Sequence, residues 1–328
     1  MDLCILSHND LDGIGCVFSL EEYYNTKAYR IHTSYSKLDE KLEELQNYIA
    51  RVRPGFVYIT DISLEKHQLV KISELARNYP GIEFIVIDHH PIKNMTAAEI
   101  SSFRSDNLKI MITDKHSATK LTFLYLKSLG FKASEELAKF LSYINAYDIW
   151  LNETPEFKPG FMLSELFYFY GKDSFKRKQC ITTEFYNKFS GNYKISSKNK
   201  EDYVEIVRKK DKLFKKLDES GRIMRTTDKR ILMIFLDEYQ SHLTIDYPGY
   251  KSYVIVKSYG GVSIRLANDV EDAEQVKNNI VKCIEMHDNV KVVGGHVHAF
   301  GTALVDTDAA KIIEFSRYII NCLDKEIK

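Results

Sequence analysis

Three short apolar runs near the start of the chain each end in side chains able to hold a cation or move a proton. Leu3-Cys4-Ile5-Leu6 runs into Ser7-His8-Asn9-Asp10-Leu11-Asp12-Gly13, Tyr58-Ile59-Thr60 into Asp61, and Ile85-Val86-Ile87 into Asp88-His89-His90. Any one Asp after a strand is commonly only the N-cap of the next helix. Four carboxylates and three imidazoles gathered in one place are another matter, because they would repel and stay poorly solvated without cations between them. His8, Asp10 and Asp12 are spaced by two, so extended backbone would point them the same way. Asp148, in Tyr147-Asp148-Ile149-Trp150, joins them, since a carboxylate at a helix C-terminus faces an unfavourable dipole unless a cation is near. Oxygen and imidazole donors without thiolate suit manganese, magnesium or iron better than structural zinc, and the carboxylates suffice for two ions sharing a bridging Asp. Two ions about 3.5–4 Å apart lower the pKa of a water and clamp attacking and leaving oxygens, so hydrolysis of a phosphate ester or anhydride is expected.

Such a cluster needs strand ends side by side. Apolar runs alternate with helical patterns through the first part of the chain: Leu3 to Leu6, Cys16 to Tyr24, Phe56 to Thr60, Leu64 to Ala76 and Glu83 to Ile87. This order predicts parallel strands with crossover helices, and ligands in such sheets bind outside the carboxyl ends of the strands. Helices are predicted over Ser117 to Leu129, stopped at Gly130, and over Ser134 to Tyr147. Between Lys172 and Lys216 the composition shifts to 14 Lys/Arg against 6 Asp/Glu, with Tyr203, Ile206, Val207, Leu213, Phe214 and Leu217 at helical spacing, a connecting helix with a basic outer face. Strands then return at Ile231 to Leu236, Tyr253 to Tyr259 and Val262 to Leu266, the last two joined by a Gly260-Gly261 hairpin signal. A helix on Val276, Ile280 and Ile284, a strand at Thr302 to Val305, and a helix on Ile312, Phe315, Ile319 and Leu323 complete the pattern. The predicted fold class is α/β: an N-terminal doubly wound, mostly parallel sheet over residues 1–190, a linker helix over 191–225, and a smaller α+β domain over 226–328 across a cleft.

Composition excludes several classes. A chain of 328 residues suggests about two domains with cores of their own. At 44% hydrophobic and 28% charged it is neither disordered nor fibrous. Lys+Arg and Asp+Glu are equal at 46, so an overall positive field for duplex DNA is absent and any anion site must be local. Cys4, Cys16, Cys180, Cys283 and Cys322 form no CxxC pair, no leader pattern follows Met1, and no apolar run is long enough to span a bilayer; a reduced, cytoplasmic protein is expected.

The strings Ser7 to Gly13, Thr60-Asp61, Asp88-His89-His90 and Tyr147-Asp148, in that order, resemble the four motifs of the DHH phosphoesterase superfamily. The second half resembles the DHH-associated C-terminal domain, with Gly294-Gly295-His296, Ala299 and Gly301 standing for its glycine-rich histidine motif and Arg265 on the preceding strand. Val293 and Phe300 depart from that motif, where a further glycine and a small residue are usual. Ser7 to Gly13, the Ser117-Ala118-Thr119 helix start and Tyr147-Asp148-x-Trp150 look most like the B-type nanoRNases, which trim very short RNAs to mononucleotides.

The resemblance implies two manganese ions, with magnesium or another divalent ion as alternatives: His8, Asp10 and Asp61 on one, and Asp12, Asp61, His89 and Asp148 on the other. By the same resemblance Asp61 would bridge, and His90 would contact the scissile phosphate or protonate the leaving oxygen. Arg265, Gly294, Gly295 and His296 would hold a substrate phosphate or nucleotide, with His298 a further candidate donor. Phe161, Phe167, Tyr168, Phe169 and Tyr170 read as core rather than as a base-stacking surface. Partners would be short single-stranded RNA or dinucleotides, with no membrane and no stable duplex DNA, the protein being a monomer or homodimer. Rival readings are a cyclic- or linear-dinucleotide phosphodiesterase, and more distantly a pyrophosphatase, a processive exonuclease or a non-catalytic nucleotide or RNA binder. The pyrophosphatase is disfavoured because Lys176-Arg177-Lys178-Gln179 lies mid-chain rather than near the end.

Overall fold

A computed structural model of the chain describes residues 2–92, 95–171, 182–225, 231–236, 250–257, 260–267, 270–296 and 299–327, excluding the side chains of residues 36, 232, 235, 236, 253, 292–296 and 299. It divides into two compact units, Met1–Tyr203 and Val204–Lys328. The division falls inside one long helix, within the segment read from sequence as the linker.

The first unit contains β1 (Leu3–His8), α1 (Leu11–Tyr24), β2 (Tyr29–Thr33), a single 3-10 turn at Tyr35–Lys37, α2 (Leu38–Val52), β3 (Phe56–Thr60), α3 (Lys66–Asn78), β4 (Glu83–Asp88), α4 (Ala97–Ser101) and β5 (Leu108–Ile112). Four further helices follow: α5 (Ala118–Ser128), α6 (Glu135–Asp148), α7 (Phe157–Gly171) and α8 (Thr182–Phe189), before α9 (Ser197–Glu219) carries the chain onward. The strands form one parallel sheet in the order β2-β1-β3-β4-β5. Residues of β1, β3 and β4 are buried on both faces, which is why they read as continuous apolar runs rather than alternating ones. Cys4, Leu6, Val57, Ile59, Phe84 and Val86 share one core with Leu42, Leu45 and Ile49 of α2 and Leu69, Ile72 and Leu75 of α3. On the other face lies α1, whose residues from Leu11 through Glu21 are all buried. A helix buried on nearly every side carries little amphipathic signature.

Register sets up the site. Ser7 pairs with Thr60 and Thr60 with Ile87, so His8, Asp61 and Asp88 come next on three adjacent strands at the carboxyl edge. The order reverses between β2-β1 and β1-β3, and that topological switch is where an open parallel sheet leaves a crevice.

The second unit contains β6 (Ile223–Arg225), β7 (Ile231–Leu236), β8 (Ser252–Lys257), β9 (Gly261–Leu266), α10 (Ala273–Glu285), β10 (Val290–His296), β11 (Ala299–Leu304) and α11 (Ala309–Glu326). Its mixed sheet has the order β10-β11-β9-β8-β7-β6, with β7 and β8 parallel and the other pairs antiparallel. Val276, Ile280 and Ile284 of α10 and Ile312, Phe315, Ile319 and Leu323 of α11, each at helical spacing, bury against Val254, Val256, Val262 and Ile264.

Two expectations differ here. Gly261 is the first residue of β9 rather than part of a turn; Gly260 alone has a left-handed φ of +85°, and its N–H donates to Lys257 O at 2.9 Å. Cys283 of α10 and Cys322 of α11 form a disulfide, where scattered spacing had suggested that all cysteines are reduced. The two lie 39 residues apart on helices brought together by the sheet, a proximity that spacing cannot show. Cys4 and Cys16 are free and buried, and Cys180 lies outside the described residues. Among the described residues no helix is long and apolar enough to cross a membrane.

Candidate metal centre

The first motif is a strand end, a cap and a helical turn in quick succession. His8 closes β1, Asp10 is the N-cap of α1 and accepts from Gly13 N at 3.0 Å through Oδ1, and Asp12 already lies in the helix. This corrects the expectation of extended backbone: the turn at the cap, not strand alternation, aims these side chains. They consequently divide, His8 grouping with Asp10 and Asp61, and Asp12 with His89 and Asp148, ligand atoms within each group lying within 4.8 Å of one another. Gly13 permits the tight turn, since a Cβ there would stand 2.2 Å from His8 O.

His8 Nδ1 lies 2.7 Å from Asp10 Oδ2. Burial pushes the Asp10 carboxyl up, but the His8 imidazole and the Gly13 N–H outweigh it and hold the group well below the usual carboxylate range. Asp12 is gripped by the N-terminus of α5: Ala118 N donates to Oδ2 at 2.7 Å and Thr119 N to Oδ1 at 3.1 Å. Thr119 Oγ1 donates to Asp12 O at 2.7 Å, and Asn145 Oδ1 on α6 accepts from Ser117 N at 3.1 Å, so α1, α5 and α6 are locked around this carboxylate.

Asp61 follows β3 with φ +53°, in the left-handed region that Asp tolerates better than most residues yet that still costs about 1 kcal/mol or more. Its N–H donates to Ile87 O at 3.0 Å, fixing the bend between β3 and β4. The carboxylate is 1% exposed, and its Oδ2 has no hydrogen-bond partner among the described residues. Burial first, then the charges of Asp10, Asp12 and Asp148, push its pKa far up. Asp148, the last residue of α6, is raised likewise by burial and by Asp12, Asp10 and Asp88.

The Asp88-His89-His90 triplet divides its work. Asp88 Oδ1 accepts from His89 N at 2.7 Å, His90 N at 3.2 Å and His90 Nδ1 at 2.8 Å, so it acts as the bracket of the turn. His89 Nε2 lies 3.5 Å from Asp61 Oδ1, 3.4 Å from Asp148 Oδ2 and 3.9 Å from Asp12 Oδ2. Burial lowers its pKa against the pull of Asp12, keeping the imidazole in the neutral form that a cation needs. Burial also lowers His90, but Asp88 overcompensates and raises it.

A buried, orphaned carboxylate oxygen with an imidazole nitrogen facing three carboxylates is an arrangement that divalent cations resolve, and the all-oxygen and nitrogen donor set suits them. The six residues singled out as ligands are thus brought together, as is His90. The remaining candidates belong to the second unit. Arg265 sits on β9 in register with Tyr253 and Ala299. Gly294 and Gly295 are in strand β10, paired with Gly301 and Phe300, rather than in a turn. The His296 side chain, His298 and Lys176 to Gln179 lie outside the described residues. Of the aromatic run, Phe167 is fully buried, Phe161 packs edge-on against Tyr147, and Tyr170 donates to Asp202 Oδ2 at 2.8 Å, each serving packing rather than a free stacking face.

Sequence reasoning missed two participants, His32 and Tyr35, and left the role of a third unassigned. Asp88 orients His90. His32 on β2 donates from Nδ1 to His8 O at 3.3 Å, its pKa lowered to about 4 mainly by burial. Tyr35, in the turn after β2, stacks on His8 with ring centroids 4.7 Å apart. The alternation of Tyr29 to Thr33 was the available signal, since a strand there delivers its end beside His8.

No family model matches the chain. It is 23% identical over 323 residues to oligoribonuclease NrnB of Bacillus subtilis, covering 92% of this chain and 73% of that protein. A pGpG-specific phosphodiesterase of Vibrio cholerae, PggH, shares the fold with a TM-score of 0.50 at 13% identity over 99% of both chains. Exonuclease RecJ bound to manganese gives a TM-score of 0.48 at 13% identity over 99% of this chain and 90% of that one.

Proposed function

With the chain resembling the phosphoesterases of the DHH type, we propose that it is a metal-dependent phosphodiesterase that hydrolyses short oligoribonucleotides to mononucleotides. The observation that carries this reading is the buried junction at Asp61, whose orphaned Oδ2 and whose Oδ1, 3.5 Å from His89 Nε2, join the two ligand groups. In this reading His8, Asp10 and Asp61 would hold one ion, and Asp12, His89 and Asp148, with Asp61 reaching them through Oδ1, the other, manganese being the favoured metal. Such ions, when bound, stabilise charge on a phosphate and ease deprotonation of a water.

The chain's own residues do the rest. Asp88 takes the Nδ1 proton side of His90 at 2.8 Å, which leaves Nε2 to face the phosphate and to carry a proton to or from the leaving oxygen. The two backbone N–H bonds to Asp88 keep that carboxylate from swinging away. Arg265, Gly294, Gly295 and His296 are assigned to a substrate phosphate in the second unit. Arg265 has a second cation within electrostatic range, since burial first and Arg265 second lower the Lys257 ammonium. A cytoplasmic location fits a short-RNA substrate.

A linear-dinucleotide phosphodiesterase is the second reading, favoured by the fold shared with the pGpG-specific enzyme. Product analysis with manganese separates them, offering in parallel a diadenylate, a labelled RNA five-mer, a 24-mer, a cyclic dinucleotide and pyrophosphate. Mononucleotides appearing fastest from both diadenylate and five-mer support the oligoribonuclease. Cleavage of diadenylate with the five-mer untouched supports the dinucleotide reading, and opening of the cyclic substrate alone overturns both.

A further inference from the structure

We propose that Tyr35 is a substrate-contacting residue of this site, its phenol donating a hydrogen bond to a non-bridging oxygen of the phosphate on which His90 acts. The inference rests on the phosphodiesterase reading and goes beyond the DHH motifs, none of which contains this residue.

Tyr35 opens the 3-10 turn after β2, the strand that pairs with β1 and ends at Thr33 opposite His8. One face of its ring lies on the His8 imidazole, centroids 4.7 Å apart and planes 29° from parallel. Its edge meets the His90 ring at 6.0 Å and 81°. The phenol oxygen is 3.4 Å from His90 Nε2, at the long limit of a hydrogen bond.

The direction of that contact follows from the other side of the ring. Asp88 Oδ1, which already accepts from two backbone N–H groups, faces His90 Nδ1 at 2.8 Å and so places the proton there. Nε2 is then an acceptor, and the Tyr35 hydroxyl is the donor toward it. A phosphate whose leaving oxygen exchanges a proton at Nε2 lies within reach of the same hydroxyl, which can transfer its long hydrogen bond from nitrogen to an anionic non-bridging oxygen, a stronger partner. The side chain is 46% exposed although it lies across two imidazoles of a buried cluster. That exposure leaves the ring accessible to a ligand.

Ring and hydroxyl are separable. In Tyr35→Phe the stack on His8 survives and only the donor is lost. Tyr35→Ala also uncovers His8. Two substrates are compared: diadenylate, and bis(p-nitrophenyl) phosphate, which has no base or sugar. Expected for Tyr35→Phe is a fall in kcat/KM of about tenfold or more on both, because a hydrogen bond to a charged group is lost on each. The manganese-induced shift in melting temperature should match wild type. A loss on diadenylate alone, or no loss for Phe with a large one for Ala, overturns the proposal in favour of a base-stacking or packing role. Calorimetric binding of inorganic phosphate to the manganese-loaded protein needs no turnover: Tyr35→Phe should weaken it about tenfold, and equal affinity refutes the contact. Wild-type protein that binds phosphate through Tyr35 yet cleaves neither diester would sink the phosphodiesterase reading while leaving this contact standing.

Discussion

Replacing Asp61 by Asn tests the metal centre in both directions at once. Asn tolerates the left-handed φ of +53° as Asp does, so the substitution adds no backbone strain. In the metal-free protein it removes a carboxylate that is 1% exposed, has an orphaned Oδ2 and is opposed by Asp10, Asp12 and Asp148. An unsatisfied buried acceptor alone costs about 1–3 kcal/mol, and the new amide can donate to the neighbouring carboxylates. A gain of about 1–2 kcal/mol in a unit of this size raises the melting temperature by about 2–8 °C. With metal the order reverses. Wild type at a free-metal concentration about 100 times Kd gains about 2.7 kcal/mol, and the variant, lacking the carboxylate that joins the two groups, loses most of that. Differential scanning fluorimetry with chelator and with manganese reads both halves, and turnover of diadenylate should fall by about 10³-fold or more. A variant that keeps the full manganese shift and activity within tenfold of wild type would refute the bridging role.

Asp88→Ala should leave the manganese-induced thermal shift intact while kcat falls about 10–100-fold, because the acceptor at His90 Nδ1 is lost and the six residues assigned as ligands are untouched; steady-state kinetics beside fluorimetry checks the separation. Metal affinity should rise with pH: Asp61 and Asp148 have raised pKa values, so at mildly acidic pH they hold protons that an ion must displace, and the gain levels off once pH exceeds those values. Calorimetry in buffers of different ionisation enthalpy should show proton release, and a pH-independent affinity would count against the ligand set. Reducing the Cys283–Cys322 disulfide, which closes a loop of 39 residues, should lower the stability of the second unit by about 3–4 kcal/mol in the chain-entropy picture; urea titration with and without a thiol reductant measures it, and coincident curves would exclude a stabilising link.

The residue types of the candidate metal centre were legible because strand ends in a parallel sheet share an edge. Once β1, β3 and β4 are read from their apolar runs, His8, Asp61 and Asp88-His89 must converge. Strands buried on both faces and the helices α10 and α11 announce themselves for the same reason: their burial patterns are local and periodic. Edge strands β2 and β5 are half-exposed and short, so their alternation falls below what a run of apolar residues signals.

What the tertiary structure alone decided is how each side chain is held. Asp10 and Asp12 part company because a helix begins between them, and Asp12 is fixed by the N–H groups of a helix start more than a hundred residues away. The partner that orients His90 is a member of the same triplet, yet only the turn after β4 shows that Asp88 Oδ1 accepts from His89 N and His90 Nδ1. Tyr35 and the Cys283–Cys322 pair are invisible to any spacing rule. Residue chemistry and periodicity are properties of the local chain, whereas hydrogen-bond partners and burial depend on contacts between distant segments that exist only once the sheets have formed.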